Sequence, residues 1–88
     1  PVQTSGVRTP SNTCDLRGKR VEEALEATEL FLDRMLLRDE PVAFILHGHG
    51  TGALKEALRG WLPGCGYARG WRPAEAAEGG DAFTIVQL

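Results

Sequence analysis

An α/β two-layer sandwich is the fold this sequence predicts: order β-α-β-α-β-β, with a four-stranded mixed sheet and two helices on one face. Three observations carry it: two segments with helical apolar spacing, strand-like segments placed around them, and Gly or Pro at the junctions. Strands alternating with helices favour parallel pairing of the first strands through right-handed crossovers. At 88 residues, 42% hydrophobic and 25% charged, the chain can build one core and carry one site.

Residues 1–12, rich in Pro, Ser, Thr and Gly, read as a linker, and the domain is expected over 13–88. The opening residues lack an initiator Met, a basic region and an apolar run, so the chain reads as a domain of a longer protein. Thr13-Cys-Asp-Leu16 sits where a βα unit needs its first strand. From Val21 to Met35, the residues Val21, Ala24, Leu25, Thr28, Phe31, Leu32 and Met35 recur at spacings of three and four and define a helical stripe. Its outer face holds Glu22, Glu23, Glu26, Glu29 and Asp33, and the acids of the first turn suit the helix dipole. Pro41 stops this helix. The run from Pro41 to Leu46 is the longest apolar stretch and reads as a strand buried on both faces. It is far short of the roughly 20 residues that cross a bilayer.

His47-Gly-His-Gly-Thr-Gly52 is a tight, flexible turn. After it, Leu54, Ala57, Leu58, Trp61 and Leu62 repeat the helical stripe, with Lys55 and Arg59 four apart on the other side. Pro63-Gly64 ends this helix. A strand within Gly66 to Arg72, a Glu78-Gly-Gly-Asp81 loop and a last alternating strand over Ala82 to Leu88 complete the order. Two helices at this size cover one sheet face, leaving the other partly open or covered by a parent protein.

Ten Lys and Arg against twelve Asp and Glu leave a net charge of −2. A chain with that balance has no bulk attraction for nucleic acid, so any polyanion site must be local. Two cysteines, Cys14 and Cys65, are too few for a disulfide scaffold, and reduced thiols in a cytoplasmic setting are the expectation.

In open α/β sheets ligands gather where parallel strands end and helices begin. Two segments of this chain lie there. Asp15-Leu-Arg-Gly-Lys-Arg20 leaves the first strand, and the glycine turn leaves the second. Backbone amides at Gly50 and Gly52 can approach an anion, Thr51 can cap the helix, and Lys55 lies one turn in. The same glycines would serve a plain strand-to-helix turn, since the pattern is neither a Walker A loop nor G-x-G-x-x-G. Arg17, Lys19 and Arg20 form a basic cluster suited to phosphate, or to neutralising neighbouring acids. His47 and His49 can carry protons or bond phosphate. With Asp15 or Cys14 they could ligate a metal, but a closed site needs four ligands, so no resident metal is expected.

Taken in order, Thr13-Cys-Asp-Leu-Arg-Gly18, Val21-Glu-Glu-Ala-Leu25, Ile45-Leu-His-Gly-His-Gly-Thr-Gly-Ala-Leu-Lys55 and Glu78-Gly-Gly-Asp-Ala-Phe-Thr-Ile-Val86 resemble the Smr (small MutS-related) domain. The Asp-Leu-Arg-Gly form most resembles the branch found at the C-terminus of bacterial MutS-two proteins. The resemblance implies a sandwich like the C-terminal domain of a translation initiation factor. It implies binding and nicking of DNA, branched DNA included, or of RNA, within a larger ATPase acting in recombination control or ribosome rescue. Carried onto this chain, its motifs make Asp15, Arg17 and His47 the catalytic candidates. The backbone-binding candidates become Arg17, Lys19, Arg20, His49, Gly50, Thr51, Gly52 and Lys55. No tightly bound cofactor is implied, with Mg²⁺ or Mn²⁺ as the ion that cleavage would draw from solution. The implied partners are DNA or RNA, the parent protein and a ribosome surface, with no membrane. Cys14, His49, Lys55 and Ala82 depart from the residues usual in the family. A binding module without catalysis is the rival expectation.

Overall fold

Alternation along Val42–Leu46 organises the molecule. Ala43 and Ile45 face one side and Val42 and Phe44 the other, and all four are buried. The computed structural model describes residues 7–88. In chain order the regular elements are β1 (Thr13–Asp15), α1 (Val21–Leu37), β2 (Val42–Leu46), α2 (Ala53–Trp61), β3 (Gly70–Pro73) and β4 (Phe83–Gln87). The fold class is the expected one. The sheet order is β1-β2-β4-β3. β1 runs parallel to β2, with Asp15 opposite Leu46. β4 inserts antiparallel between β2 and β3.

Both helices lie on one face. Ala24, Phe31, Leu32 and Met35 of α1 and Leu58 of α2 pack with Leu16, Ala43, Ile45, Leu62 and Val86. Burying each large aliphatic or aromatic side chain contributes about 1.5–3 kcal/mol against the entropy of ordering the chain. α1 runs two residues past Met35 and ends on a left-handed Asp39 (φ 56°), with the Glu40 amide donating to Met35 O at 2.9 Å. That closure precedes Pro41, so the helix is already over when the proline is reached.

The second face differs from expectation. Val42 and Phe44 pack there with Ala74, Phe83 and Ile85, so the chain covers this face itself. Short 3₁₀ turns at Pro10–Asn12, Ala76–Glu78 and Gly80–Ala82 accompany it. Of the expected linker, residues 1–6 lie outside the described residues, whereas Arg8 to Asn12 are tied to the domain. Arg8 donates to Glu78 O at 2.8 Å and its guanidinium stands 4.2 Å over the Phe83 ring. Asn12 is buried and donates to Val7 O. No described helix is long and apolar enough to cross a membrane.

Candidate nucleic-acid interface

The register of β1 on β2 brings the two loops together. Leu16 N donates to Leu46 O at 2.8 Å, extending the ladder one step beyond β1, so residues 17 and 47 depart side by side. Gly48 (φ 77°) lies under Arg17: a Cβ there would stand 3.2 Å from Arg17 Cγ. Only a residue without a side chain allows both the left-handed turn and this approach. The loops and the start of α2 enclose an open groove of about 610 Å³, walled by Arg17, Lys19, Arg20, His49, Thr51 and Lys55. Gly50 and Gly52 also line it.

Arg17, Lys19, Arg20 and His49 are exposed. Asp15 is outside the groove lining and holds Arg17 in place. Its Oδ1 accepts from Arg17 N and Nε at 3.0 Å each, and its Oδ2 accepts from Nη2 at 2.8 Å. These bonds from Arg17 hold the Asp15 carboxyl below its usual range. At neutral pH it is therefore an ionised fork-holder for a guanidinium whose remaining N–H groups are available to an anion.

His47 is 5% exposed. Its Nδ1 lies 2.9 Å from Gly48 O and its Nε2 lies 2.8 Å from Thr84 Oγ1. A carbonyl can only accept, so Nδ1 carries the proton and Nε2 accepts from the Thr84 hydroxyl. Arg59 Nε in turn donates to Thr84 Oγ1 at 2.9 Å. Burial pushes the His47 pKa down, with the Arg59 and Lys55 charges acting in the same direction. A base whose folded pKa is depressed binds fewer protons than the unfolded chain, so this group makes stability rise with pH. Acidification is expected to lower the thermal midpoint once pH falls below about 6.5, the ordinary His value. Melting curves between pH 5 and 8 check this. A His47→Gln variant should lose most of that slope, and a slope unchanged in it would rule out this origin.

Asp81 completes the wall behind the turn. Its Oδ2 accepts from Lys55 Nζ at 2.7 Å and its Oδ1 from Arg59 Nη2 at 2.9 Å. The Lys55 and Arg59 bonds hold its carboxyl at about 2. Arg59 also lies 5.2 Å from the Trp71 ring centroid. Arg59, Asp81 and Thr84 were not candidates on sequence. The one available signal was the i,i+4 pair of Lys55 and Arg59, which leaves their partner unspecified. The Ala82 carbonyl accepts from both His47 N and Gly48 N at 3.0 Å, so the 78–82 loop anchors the glycine turn through backbone as well.

Thr51 Oγ1 accepts from Ala53 N at 3.3 Å, while Gly52 (φ 86°) holds the N-cap position of α2. Cys14 and Cys65 are unpaired, and burial raises the Cys14 pKa. Among the described residues no group of three or more His, Cys, Asp or Glu is arranged to hold a metal ion.

The Smr domain family model matches residues 14–88. The chain belongs to the Smr domain family. Its relatives include "Endonuclease MutS2" of Anaeromyxobacter sp. strain Fw109-5, 53% identical over 74 residues, which are 84% of this chain and 9% of that protein. The protein of the same name from Listeria monocytogenes serotype 4a is 41% identical over 87 residues, 99% of this chain and 11% of that one. This Smr domain thus spans about a tenth of the curated relatives it matches. The crystal structure of the Smr domain of Thermus thermophilus MutS2 superposes with a TM-score of 0.85 at 35% identity, covering 88% of this chain and 96% of that one. YdaL, a stand-alone small MutS-related protein from Escherichia coli, shares the fold with a TM-score of 0.87 at 21% identity, over 96% of this chain and 69% of that one.

Proposed function

We propose that this Smr domain is an endonuclease module that grips the backbone of DNA, branched DNA included, or of RNA and nicks it, as part of a larger MutS-like ATPase in the cytoplasm. That parent would act in recombination control or ribosome rescue. One observation carries the reading. In a chain of net charge −2, Arg17, Lys19 and Arg20 meet the glycine turn in a single groove. The relatives' name, endonuclease, supports the reaction class.

In this reading the Gly50 amide, His49, Thr51, Lys19, Arg20 and Lys55 seat the backbone and Arg17 touches the phosphate under attack, whereas the Gly52 amide, expected as a second donor, already donates to His49 O at 3.0 Å. A water oxygen, or the 2′-hydroxyl on RNA, bonds to phosphorus as the bond to the leaving oxygen breaks, the nucleophile's proton passing to solvent in the open groove and solvent water protonating the leaving oxygen. Arg17 and Lys55 then hold the charge that builds on the non-bridging oxygens. Asp15 and His47 serve as positioning residues: one aims Arg17, the other fixes the turn. The Asp15 carboxylate at the strand end is already engaged by Arg17, and among the described residues Glu22 is the single carboxylate in the groove lining. The residues therefore do not build a resident metal site.

A second reading, a binding module without catalysis, is favoured by one specific observation. The carboxylate and the buried imidazole are both engaged inside the protein. Purified chain incubated with labelled linear DNA, branched DNA and RNA, with and without Mg²⁺ or Mn²⁺, separates the two. Nicking by the wild type that is lost in Asp15→Asn/His47→Gln at concentrations where the variant, bound more weakly, still saturates the substrate is the expected result. Binding without any nicking would replace the first reading by the second, and no binding at low salt would remove both. Cleavage that persists in excess chelator would assign the chemistry to side chains, and its loss would assign it to an ion from solution.

A further inference from the structure

A second concave surface opens along the edge strand β1. Between the N-terminal segment and the C-terminal half of α1 lies a hollow of about 290 Å³. Arg34 and Arg38 stand on one side, Ser11 and Thr13 on the other, and Phe31 and Met35 line it between them. Phe31 and Met35 are buried, so the floor is rigid and apolar while the rim is polar. Arg34 and Arg38 are exposed. Among the described residues Arg34 forms no ion pair, and Arg38 reaches Glu40 at 3.7 Å with its side chain 52% exposed.

The helical wheel separates these cations from the acids of α1. At about 100° per residue, Arg34 and the C-cap residue Arg38 fall within about 40° of one another, on the β1 side of the helix, while Arg20 stands at its N-cap. Glu22, Glu26, Glu29 and Asp33 lie about 80–140° away from Arg34 on the other flank. Glu23 is the acid on the cationic flank, and its carboxylate accepts from Arg20 N at 3.1 Å. The Cys14 thiol, at the centre of β1, feels the charges of both Lys19 and Arg34.

We infer that Arg34 and Arg38 form a second phosphate-contact site, which takes the same phosphodiester backbone after it leaves the glycine groove. This rests on the nucleic-acid reading of that groove. Arg20 and Arg34 are 14 residues apart, about 21 Å along α1, which corresponds to roughly six phosphates at the 3.4 Å spacing of one duplex strand. The acid on the far flank of α1 then keeps the backbone on the β1 side, where it meets cations at both ends and no carboxylate row. The molecule reads as a short clamp whose length, rather than its net charge, sets its preference for extended substrates.

Oligonucleotide length tests this. Fluorescence anisotropy is measured with DNA and RNA duplexes of about 24 base pairs and with single-stranded tetranucleotides, long enough only for the groove. An Arg34→Ala/Arg38→Ala variant is expected to weaken duplex binding about tenfold and to lower the log–log salt slope by about two, one for each lost phosphate contact. Tetranucleotide binding should match the wild type. Duplex affinity and slope unchanged in this variant would overturn the inference, and if Arg17→Ala still weakened both lengths the groove reading would stand. Wild-type chain that binds neither length would overturn the groove reading and this inference with it. Both substituted residues are exposed, and a circular dichroism melt within error of the wild type shows the fold is kept.

Discussion

Replacing Arg17 by Ala is expected to weaken nucleic-acid binding by about ten- to a hundredfold. A charge-assisted hydrogen bond contributes about 1.5–3 kcal/mol, and Arg17 presents its fork already aimed by Asp15. The exposure of the Arg17 and Asp15 side chains, 62% and 48%, means the pair contributes little to stability, so the loss should fall on binding alone. Arg17→Lys keeps the charge and loses the planar fork, and it should recover only part of the affinity. Asp15→Asn should act in the same direction but by a few-fold, since Arg17 remains present and is merely less ordered. Titration by anisotropy at one fixed salt concentration ranks the four proteins. An Arg17→Ala variant within twofold of the wild type would remove Arg17 from the interface.

Thr84→Val is expected to be the most costly conservative change behind the groove. Valine matches threonine in shape but leaves His47 Nε2 without its donor and Arg59 Nε without its acceptor, in a place where Thr84 is fully buried. An unsatisfied buried group costs about 1–3 kcal/mol. In a domain of this size that corresponds to a lowering of the thermal midpoint by about 4–20 °C. Thr84→Ser, which keeps the hydroxyl, should recover most of the loss. The consequence reaches the groove because His47 and Gly48 sit on the same turn: chain binding should weaken together with stability. A valine variant that melts with the wild type would show that this bond contributes nothing net.

The two changes differ in how visible their targets are in sequence. Arg17 is legible because its partner, Asp15, is two residues away and the pair closes at a strand end, a local event. α1, β2 and α2 are legible for a similar reason: spacings of three and four, or an unbroken apolar run, translate directly into a buried stripe or a buried strand. Asp39 shows where local reading stops short. The helix closes on a left-handed non-glycine residue, which composition does not announce, and Pro41 only follows it.

Thr84, Asp81 and Arg59 were hidden for a different reason. Thr84 is 37 residues from His47 and 25 from Arg59, and nothing in the spacing of either segment says that β4 will insert between β2 and β3. That insertion carries the Ala82 carbonyl and the Asp81 carboxylate to the back of the glycine turn. The covering of the second sheet face by Ala74 and Phe83, with Arg8 lying over Phe83, has the same origin.

Local periodicity and turn chemistry were therefore enough to establish an α/β sandwich with two loops rich in cations and glycine on one rim, because those signals depend on neighbours along the chain. The sheet order, the Arg59–Thr84–His47 chain and the placing of Arg34 and Arg38 across a hollow from Ser11 and Thr13 arise from contacts between segments distant in sequence. Their energies depend on side chains meeting across the core, so they exist only once the chain has folded.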